Sequence, residues 1–96
     1  DLGGITPAMK TVHLCEAFKI ECELHGAGLA NLHVLGATEL GDYFEYGLLH
    51  PKYDYEGSRP WLSDPPLPDE NGVLHLPDDP GIGWDLDWSY IDANRV

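Results

Sequence analysis

A histidine and a glutamate twenty residues apart are the residues of this sequence best suited to chemistry. His25 follows the alternating apolar segment 20–24, and Glu45 follows Tyr43-Phe44. Imidazole titrates near neutrality, so such a histidine suits a general base or acid. Either residue alone has an ordinary interpretation, as a histidine that bonds loop backbone or as a solvated glutamate. Together they indicate a shared site if the fold brings the two segment ends together.

The surrounding elements predict that the fold brings these two segment ends together. A helix, a strand over residues 20–24, a helix over 29–40 and a strand over 42–48 alternate along the chain. Such alternation is typical of parallel strands joined by helices. In a (β/α) barrel the C-terminal strand ends carry the active site. We therefore predict an α/β fold, the C-terminal portion of a TIM-type barrel, with His25 and Glu45 facing one mouth.

The first helix has a clear start signal. Thr6 can serve as the N-cap, and Pro7 suits the first helical position, where its missing N–H costs nothing. The helix should end near Phe18 or Lys19. Its inward face is predicted from residues that recur at helical spacing, namely Ala8, Val12, Cys15 and Phe18.

The second helix follows a glycine-containing loop, Gly26-Ala27-Gly28. This loop could bind an anion through backbone N–H groups, or it could simply be a tight turn. Gly41 is predicted to cap the helix C-terminus. The inward face should hold Leu29, Leu32, Leu35 and Gly36.

The second half of the chain has a different character. Seven of the eight prolines follow position 50, and turns are predicted at 69–72 and 80–83. A short strand is predicted over 73–76, and a last helix capped by Asp85 or Asp87. Trp61, Trp84 and Trp88 are large apolar anchors. We divide the chain into the last βα units of a barrel, 1–48, and a C-terminal tail, 49–96, that packs on the barrel and a capping domain.

Composition narrows the function classes. The 96 residues carry a formal charge of −12, which argues against nucleic acids and anionic membranes as partners. No apolar run approaches the length of a membrane span. Cys15 and Cys22 have no CxxC spacing, so we interpret them as free thiols in a reducing compartment, with the cytoplasm as the expected location.

The remaining histidines are weaker candidates. His33 lies in the middle of a predicted helix and suits a packed or surface position, and His50 and His75 lie in irregular segments. The sequence has no HExxH, P-loop, nucleophile elbow or GxGxxG pattern. His25 and Glu45 therefore remain the main candidates.

An ordered series of segments resembles a known family. The series runs through nearly the whole chain and includes Gly3-Gly4-Ile5-Thr6, the His25 segment, Ala30-Asn31-Leu32, Tyr43-Phe44-Glu45 and Pro80-Gly81-Ile82-Gly83. It resembles the C-terminal third of the mandelate racemase/muconate lactonizing enzyme group of the enolase superfamily. The resemblance implies a modified (β/α) barrel whose capping domain is built from the N-terminus and the C-terminal tail.

The resemblance also implies a chemistry. In this family Mg²⁺ assists abstraction of the proton α to a carboxylate, which gives an enediolate. His25, on the seventh strand, would be the base or the acid that expels a leaving group, and Glu45 would hydrogen-bond the substrate carboxylate or the enediolate. An Asp on the sixth strand orients the histidine. Asp1 is the candidate here, although it stands closer to the glycine pair than the family's Asp usually does.

The Mg²⁺ ligands and a second acid/base lie on earlier strands in this family, outside this chain. We therefore expect a fragment that is inactive alone, from an enzyme that acts on a small carboxylate and forms a homo-oligomer at full length. A sugar-acid dehydratase fits the resemblance first, and a racemase or epimerase is the alternative. The other class is a non-catalytic acidic module that docks on a partner through its Trp-rich tail.

Overall fold

A computed structural model describes residues 3–26, 28–39, 41–46 and 59–96. They contain the helices α1, Ile5–Phe18, α2, Leu29–Gly36, and α3, Trp88–Asn94. In this described part, no helix combines the length and apolar character that crossing a bilayer requires. The chain forms two compact units, Asp1–Gly47 and Leu48–Val96.

Helix α1 begins slightly earlier than predicted. Gly4, with φ of 109°, holds the N-cap position, so the prediction of Thr6 as the cap was wrong. Pro7 lies in the first turn, where backbone N–H groups have no intrahelical partner and its missing donor is tolerated. The first helical bond runs from the Ala8 amide to the Gly4 carbonyl at 3.2 Å.

The end of α1 was predicted correctly. Lys19 takes the left-handed conformation, with φ of 55° and ψ of 42°. The amides of Lys19 and Ile20 donate to the carbonyls of Glu16 and Cys15. This pair of bonds is a Schellman motif, and it turns the chain into the segment that carries His25.

Helix α2 is shorter than predicted. It ends at Gly36 with Ala37 as its C-cap, so Gly41 is not the cap. Gly41 has another role, because a Cβ there would stand 2.9 Å from the Cys22 carbonyl oxygen and collide with the Leu35 side chain. A glycine is needed at this position for close packing, which no local helix signal reveals.

Helices α1 and α2 pack through a small core. Ala8, Val12 and Val34 are buried together, and Met9, Cys22 and Leu24 pack against them. The predicted face of α1 was correct for Ala8 and Val12, but Phe18 is 70 % exposed. Phe18 lies about 80° around the helix from Ala8, at the edge of the apolar stripe.

The predicted strands are not present as such. Residues 20–24, 42–46 and 73–76 have no regular secondary structure, and the described chain has a single β-bridge, Leu62 to Leu86. Residues 47 and 48 of the second predicted strand lie outside the described residues. A parallel strand needs ladder partners for its backbone groups. Here carboxylates take two of the amides, since Glu23 accepts from Asp42 and Glu45 from Gly26.

The second unit is organised by turns. The predicted turn at 69–72 is confirmed, with the Gly72 amide donating to the Asp69 carbonyl and Gly72 at φ of 78°. The Asp69 carboxylate accepts from His75 at 3.0 Å and from the amides of Val73 and Asn71. These bonds, the one from His75 first, lower the pKa of Asp69 below its ordinary value.

The last helix is capped as predicted. Asp87 is the N-cap of α3, and its side chain accepts from the Tyr90 amide at 2.9 Å. The three tryptophans of the sequence are all exposed, Trp88 most of all. Packing of this tail on a larger body therefore stays a prediction.

Candidate active site

The segment that carries His25 lies between α1 and α2. It leaves α1 through the Schellman turn and places Cys22 and Leu24 against the helical core. His25 comes next, with a side chain that is 94 % exposed. The apolar residues anchor the segment, and the imidazole projects beyond it.

Glu45 lies directly beside this imidazole. The Nδ1 atom of His25 is 2.7 Å from Oε2 of Glu45, and the same oxygen accepts the Gly26 amide at 2.8 Å. An ionised carboxylate only accepts hydrogen bonds, so Nδ1 carries the proton of this contact. Nε2 of a neutral ring is then left with its lone pair available. The predicted proximity of His25 and Glu45 is confirmed.

A constant register sets this proximity. Gly41 approaches the Cys22 carbonyl, the Asp42 amide faces Glu23, and Glu45 faces the Gly26 amide. Each pair is 19 residues apart, so segments 22–26 and 41–45 run side by side in the same direction. This is the parallel arrangement that the sequence predicted, held by side chains in two of these contacts.

Asn31 holds the His25-Gly26 loop by hydrogen bonds to its carbonyl groups. Its Nδ2 donates to the carbonyl oxygens of His25 at 3.0 Å and Gly26 at 2.9 Å. Gly26 has φ of 102°, a conformation that favours glycine. Asn31 is not among the site residues that the sequence predicts. The available signal was its place near the start of α2, from which a side-chain amide can reach the preceding loop.

A cavity of about 450 Å³ lies beside these residues. His25 and Asn31 line it, together with Gly3, Gly4 and apolar side chains of α1, α2 and the connecting segment. Small-molecule sites commonly have such a volume and a mostly apolar lining with a few polar groups.

The loop Gly26-Ala27-Gly28 uses Gly28 as the N-cap of α2. Ala27 lies outside the described residues.

The structure describes two of the other predicted candidates, His33 and His75. Asp1 and His50 lie outside the described residues. His75 is paired with Asp69 in the second unit, and His33 lies half-buried within α2. Cys15 and Cys22 are both free thiols; burial, and then the hydrogen bond with Cys15, raises the pKa of Cys22.

Within the described ranges, no three His, Cys, Asp or Glu side chains are grouped so that they could hold a metal ion. The donor set at the site is one imidazole and one carboxylate, and one carboxylate oxygen already accepts two hydrogen bonds. Mg²⁺ takes a nearly octahedral shell of oxygen ligands. The described residues therefore do not fit a Mg²⁺ site.

Comparison with known proteins is informative for both the family and the fold. The family described as enolase C-terminal domain-like matches residues 1–90. The crystal structure of D-glucarate dehydratase from Agrobacterium tumefaciens complexed with magnesium matches with a TM-score of 0.88 and 49 % sequence identity. The match covers 98 % of this chain and 25 % of that one, so the chain spans about a quarter of its length. No curated protein matches the sequence.

Proposed function

The chain belongs to the enolase C-terminal domain-like family, and from this we propose that it is part of a Mg²⁺-dependent sugar-acid dehydratase. The reaction would remove the proton α to a carboxylate and then expel a hydroxyl from the neighbouring carbon. D-Glucarate or a related sugar acid would be the substrate. We also propose that the chain supplies the last units of a (β/α) barrel and the tail that packs on it.

The observation that carries the proposal is the 49 % identity to a D-glucarate dehydratase over 98 % of this chain. The arrangement of His25 and Glu45 is the second support, since it provides an exposed imidazole fixed in one tautomer. The cavity beside the imidazole has a suitable size for a six-carbon acid.

The chain's own chemistry in this proposal centres on Nε2 of His25. Glu45 holds the Nδ1–H group, so Nε2 can accept the α-proton of a bound acid or, once protonated, give a proton to the departing hydroxyl. The Glu45 carboxylate also favours the imidazolium that forms. The proposed role of Glu45 is therefore to orient His25, in addition to the expected hydrogen bond to the substrate.

Magnesium has a separate place in the proposal. When bound, Mg²⁺ acts as a Lewis acid that makes the α-proton of a carboxylate more acidic. Because the described residues do not fit such a site, its ligands would come from the rest of the protein. Free thiols at Cys15 and Cys22 support a reducing compartment, and we propose the cytoplasm.

The first test is the coding sequence immediately upstream of Asp1. An open frame of a few hundred codons, with carboxylates at successive predicted strand ends, would support the proposal and show whether Asp1 or a neighbour faces His25. A stop and a start codon just before Asp1 would contradict it and favour a free-standing acidic module.

The second test is enzymatic. The full-length protein with Mg²⁺ should convert D-glucarate or another sugar acid to an α-keto acid, detected as its semicarbazone. His25→Asn should abolish turnover, whereas His75→Asn, in the second unit, should retain it. Exchange of the α-proton with solvent deuterium without loss of water would instead identify a racemase or epimerase. A fully active His25→Asn variant would contradict the proposed role of His25.

A further inference from the structure

The loop that carries His25 is held by one side chain that the predicted chemistry leaves out. Asn31 donates from Nδ2 to two consecutive carbonyl oxygens, of His25 at 3.0 Å and of Gly26 at 2.9 Å. A side-chain amide nitrogen has two N–H groups. Both donors are therefore directed at the backbone of His25 and of the residue that follows it.

The same two residues are held from the opposite side by Glu45. Its Oε2 accepts the Gly26 amide at 2.8 Å and contacts Nδ1 of His25 at 2.7 Å. Asn31 thus binds the two carbonyl groups of the His25-Gly26 dipeptide. Glu45 binds its Gly26 amide and the ring nitrogen of His25. Gly26 bends between them with φ of 102°, so a rotation of either peptide plane would redirect the imidazole.

We infer that Asn31 is a positioning residue that fixes the direction of the His25 imidazole through the His25 and Gly26 carbonyls. The inference rests on the proposed function of His25 in proton transfer. Asn31 is half-buried, and its amide is anchored by its place near the start of α2. It lines the same cavity as His25, so it acts where the substrate would lie.

Asn31→Asp gives the sharpest test. It keeps the size of the side chain but replaces both donors with a carboxylate, which repels the two carbonyl oxygens. A displacement of a catalytic group by about 1 Å can reduce a rate by about 100-fold. We expect kcat of the full-length enzyme to fall by about 10- to 100-fold, with KM within about threefold of wild type.

Two further variants separate positioning from folding. Asn31→Ala removes both donors without adding charge and keeps a good helix former in α2, and it should lower kcat similarly. Asn31→Gln retains the amide and should recover part of the loss. The matched control is Asn94→Asp, because Asn94 also donates from Nδ2 to a backbone carbonyl, that of Tyr90 at 2.8 Å, in the other unit. Its activity should stay unchanged.

A second readout does not depend on activity. With selectively ¹⁵N-labelled histidine, NMR should show the Nδ1–H tautomer of His25 in the wild type and a mixture of tautomers in Asn31→Asp. An Asn31→Asp or Asn31→Ala enzyme with wild-type kcat, alongside an inactive His25→Asn, would overturn this inference and leave the proposed function intact. A loss of kcat that merely follows loss of folded protein, judged by circular dichroism, would also overturn it. An inactive wild type with the tautomer change would contradict the proposed function alone.

Discussion

Glu45 accepts two hydrogen bonds on one carboxylate oxygen, from the Gly26 amide and from the ring of His25. Hydrogen bonds to charged groups are stronger than those between neutral groups. The carboxylate therefore fixes both the backbone and the side chain of the dipeptide at the site. Its contribution should be visible in the rate of proton transfer.

Replacing Glu45 with Gln tests this contribution. Glu45→Gln removes the negative charge that favours a protonated imidazole and weakens the contact with Nδ1. Hydrogen bonds to charged groups contribute about 1.5–3 kcal/mol, which corresponds to about 10- to 100-fold in rate. We expect kcat to fall by that factor in the full-length enzyme. Glu21→Gln, at an exposed position of the segment that carries His25, should retain kcat; an equal loss in both variants would contradict the assignment.

Gly26 is the second residue whose identity the geometry requires. Its φ of 102° is costly for any residue with a Cβ, by about 1–3 kcal/mol. An added Cβ would stand 3.5 Å from Nδ2 of Asn31, an ordinary contact, so the cost comes from the backbone. We expect Gly26→Ala to lower the free energy of unfolding by about 1–3 kcal/mol and to reduce activity, as measured by urea denaturation and kcat.

Gly28→Ala is the matched control for this prediction. Gly28 lies in the same loop with φ of −85°, and an added Cβ there meets nothing within 4 Å. It should lower stability less than Gly26→Ala does, because its cost is only that of alanine in place of glycine at the N-cap of α2. Equal losses of stability at the two positions would show that the loss comes from removing any glycine of the loop, and not from the conformation of Gly26.

At the scale of elements, one carboxylate of α1 holds the chain that leaves α2. Oε1 of Glu16 accepts the Thr38 hydroxyl and the Glu39 amide, each at 3.0 Å. The Glu39 amide, then the Thr38 hydroxyl, lower the pKa of Glu16 below its ordinary value. This contact joins the C-terminal part of α1 to the segment that follows α2.

This contact should give a pH-dependent stability. Because the folded pKa of Glu16 is depressed, its contribution is present above the ordinary glutamate value of about 4.3 and is lost as pH falls through the folded pKa. We expect wild type to be more stable than Glu16→Gln at neutral pH and the difference to close in acid. Denaturation midpoints of the full-length protein and of its Glu16→Gln variant, between about pH 3 and pH 7, measure it. A difference that is constant with pH would rule out the charge as its cause.

The elements also show which features the sequence could predict. The start of α2, the end of α1 and the Asp87 cap of α3 depend on local signals, and these were predicted correctly. The Gly41 packing position and the Asn31 and Glu16 contacts depend on residues brought together by folding, so local patterns missed them. The predicted strands failed because a parallel strand is defined by partners and not by its own residues.

The predicted proximity of His25 and Glu45 succeeded for a different reason. It depended only on the order of elements and on the rule that parallel segments end on the same side. That rule holds even where no ladder forms, as the constant separation of 19 residues indicates. The roles of the two residues stay a proposal, and Asp1 stays an untested partner.

At the scale of the whole molecule, the buried apolar set is small. Seven apolar residues are buried in the described chain, six of them in the first unit and only Leu62 in the second. Large apolar side chains remain exposed in both units, including Phe18, Ile20, Trp61, Trp84 and Trp88. Stability of a domain depends mainly on such burial, and seven buried apolar residues are few for the part of the chain that the structure describes.

We therefore expect the isolated 96-residue chain to lack a cooperative thermal transition and to bind the dye ANS, as loosely packed states do. The same sequence within its full-length protein should unfold cooperatively. Circular dichroism on heating and dye fluorescence measure both. A sharp transition of the isolated chain would favour the free-standing acidic module over the enzyme.

The fixed offset between segments 22–26 and 41–45 makes chain length itself a requirement of the site. Adding or deleting one residue between Gly26 and Gly41 would bring Phe44 or Tyr46, and not Glu45, beside the His25 loop. Substitutions on the outer side of α2 leave that count intact, whereas a single-codon insertion does not. The number of residues in α2 and its flanking loops thus sets which side chain lies beside His25. In a library of insertions and substitutions across this stretch, changes of length should abolish activity far more often than changes of sequence.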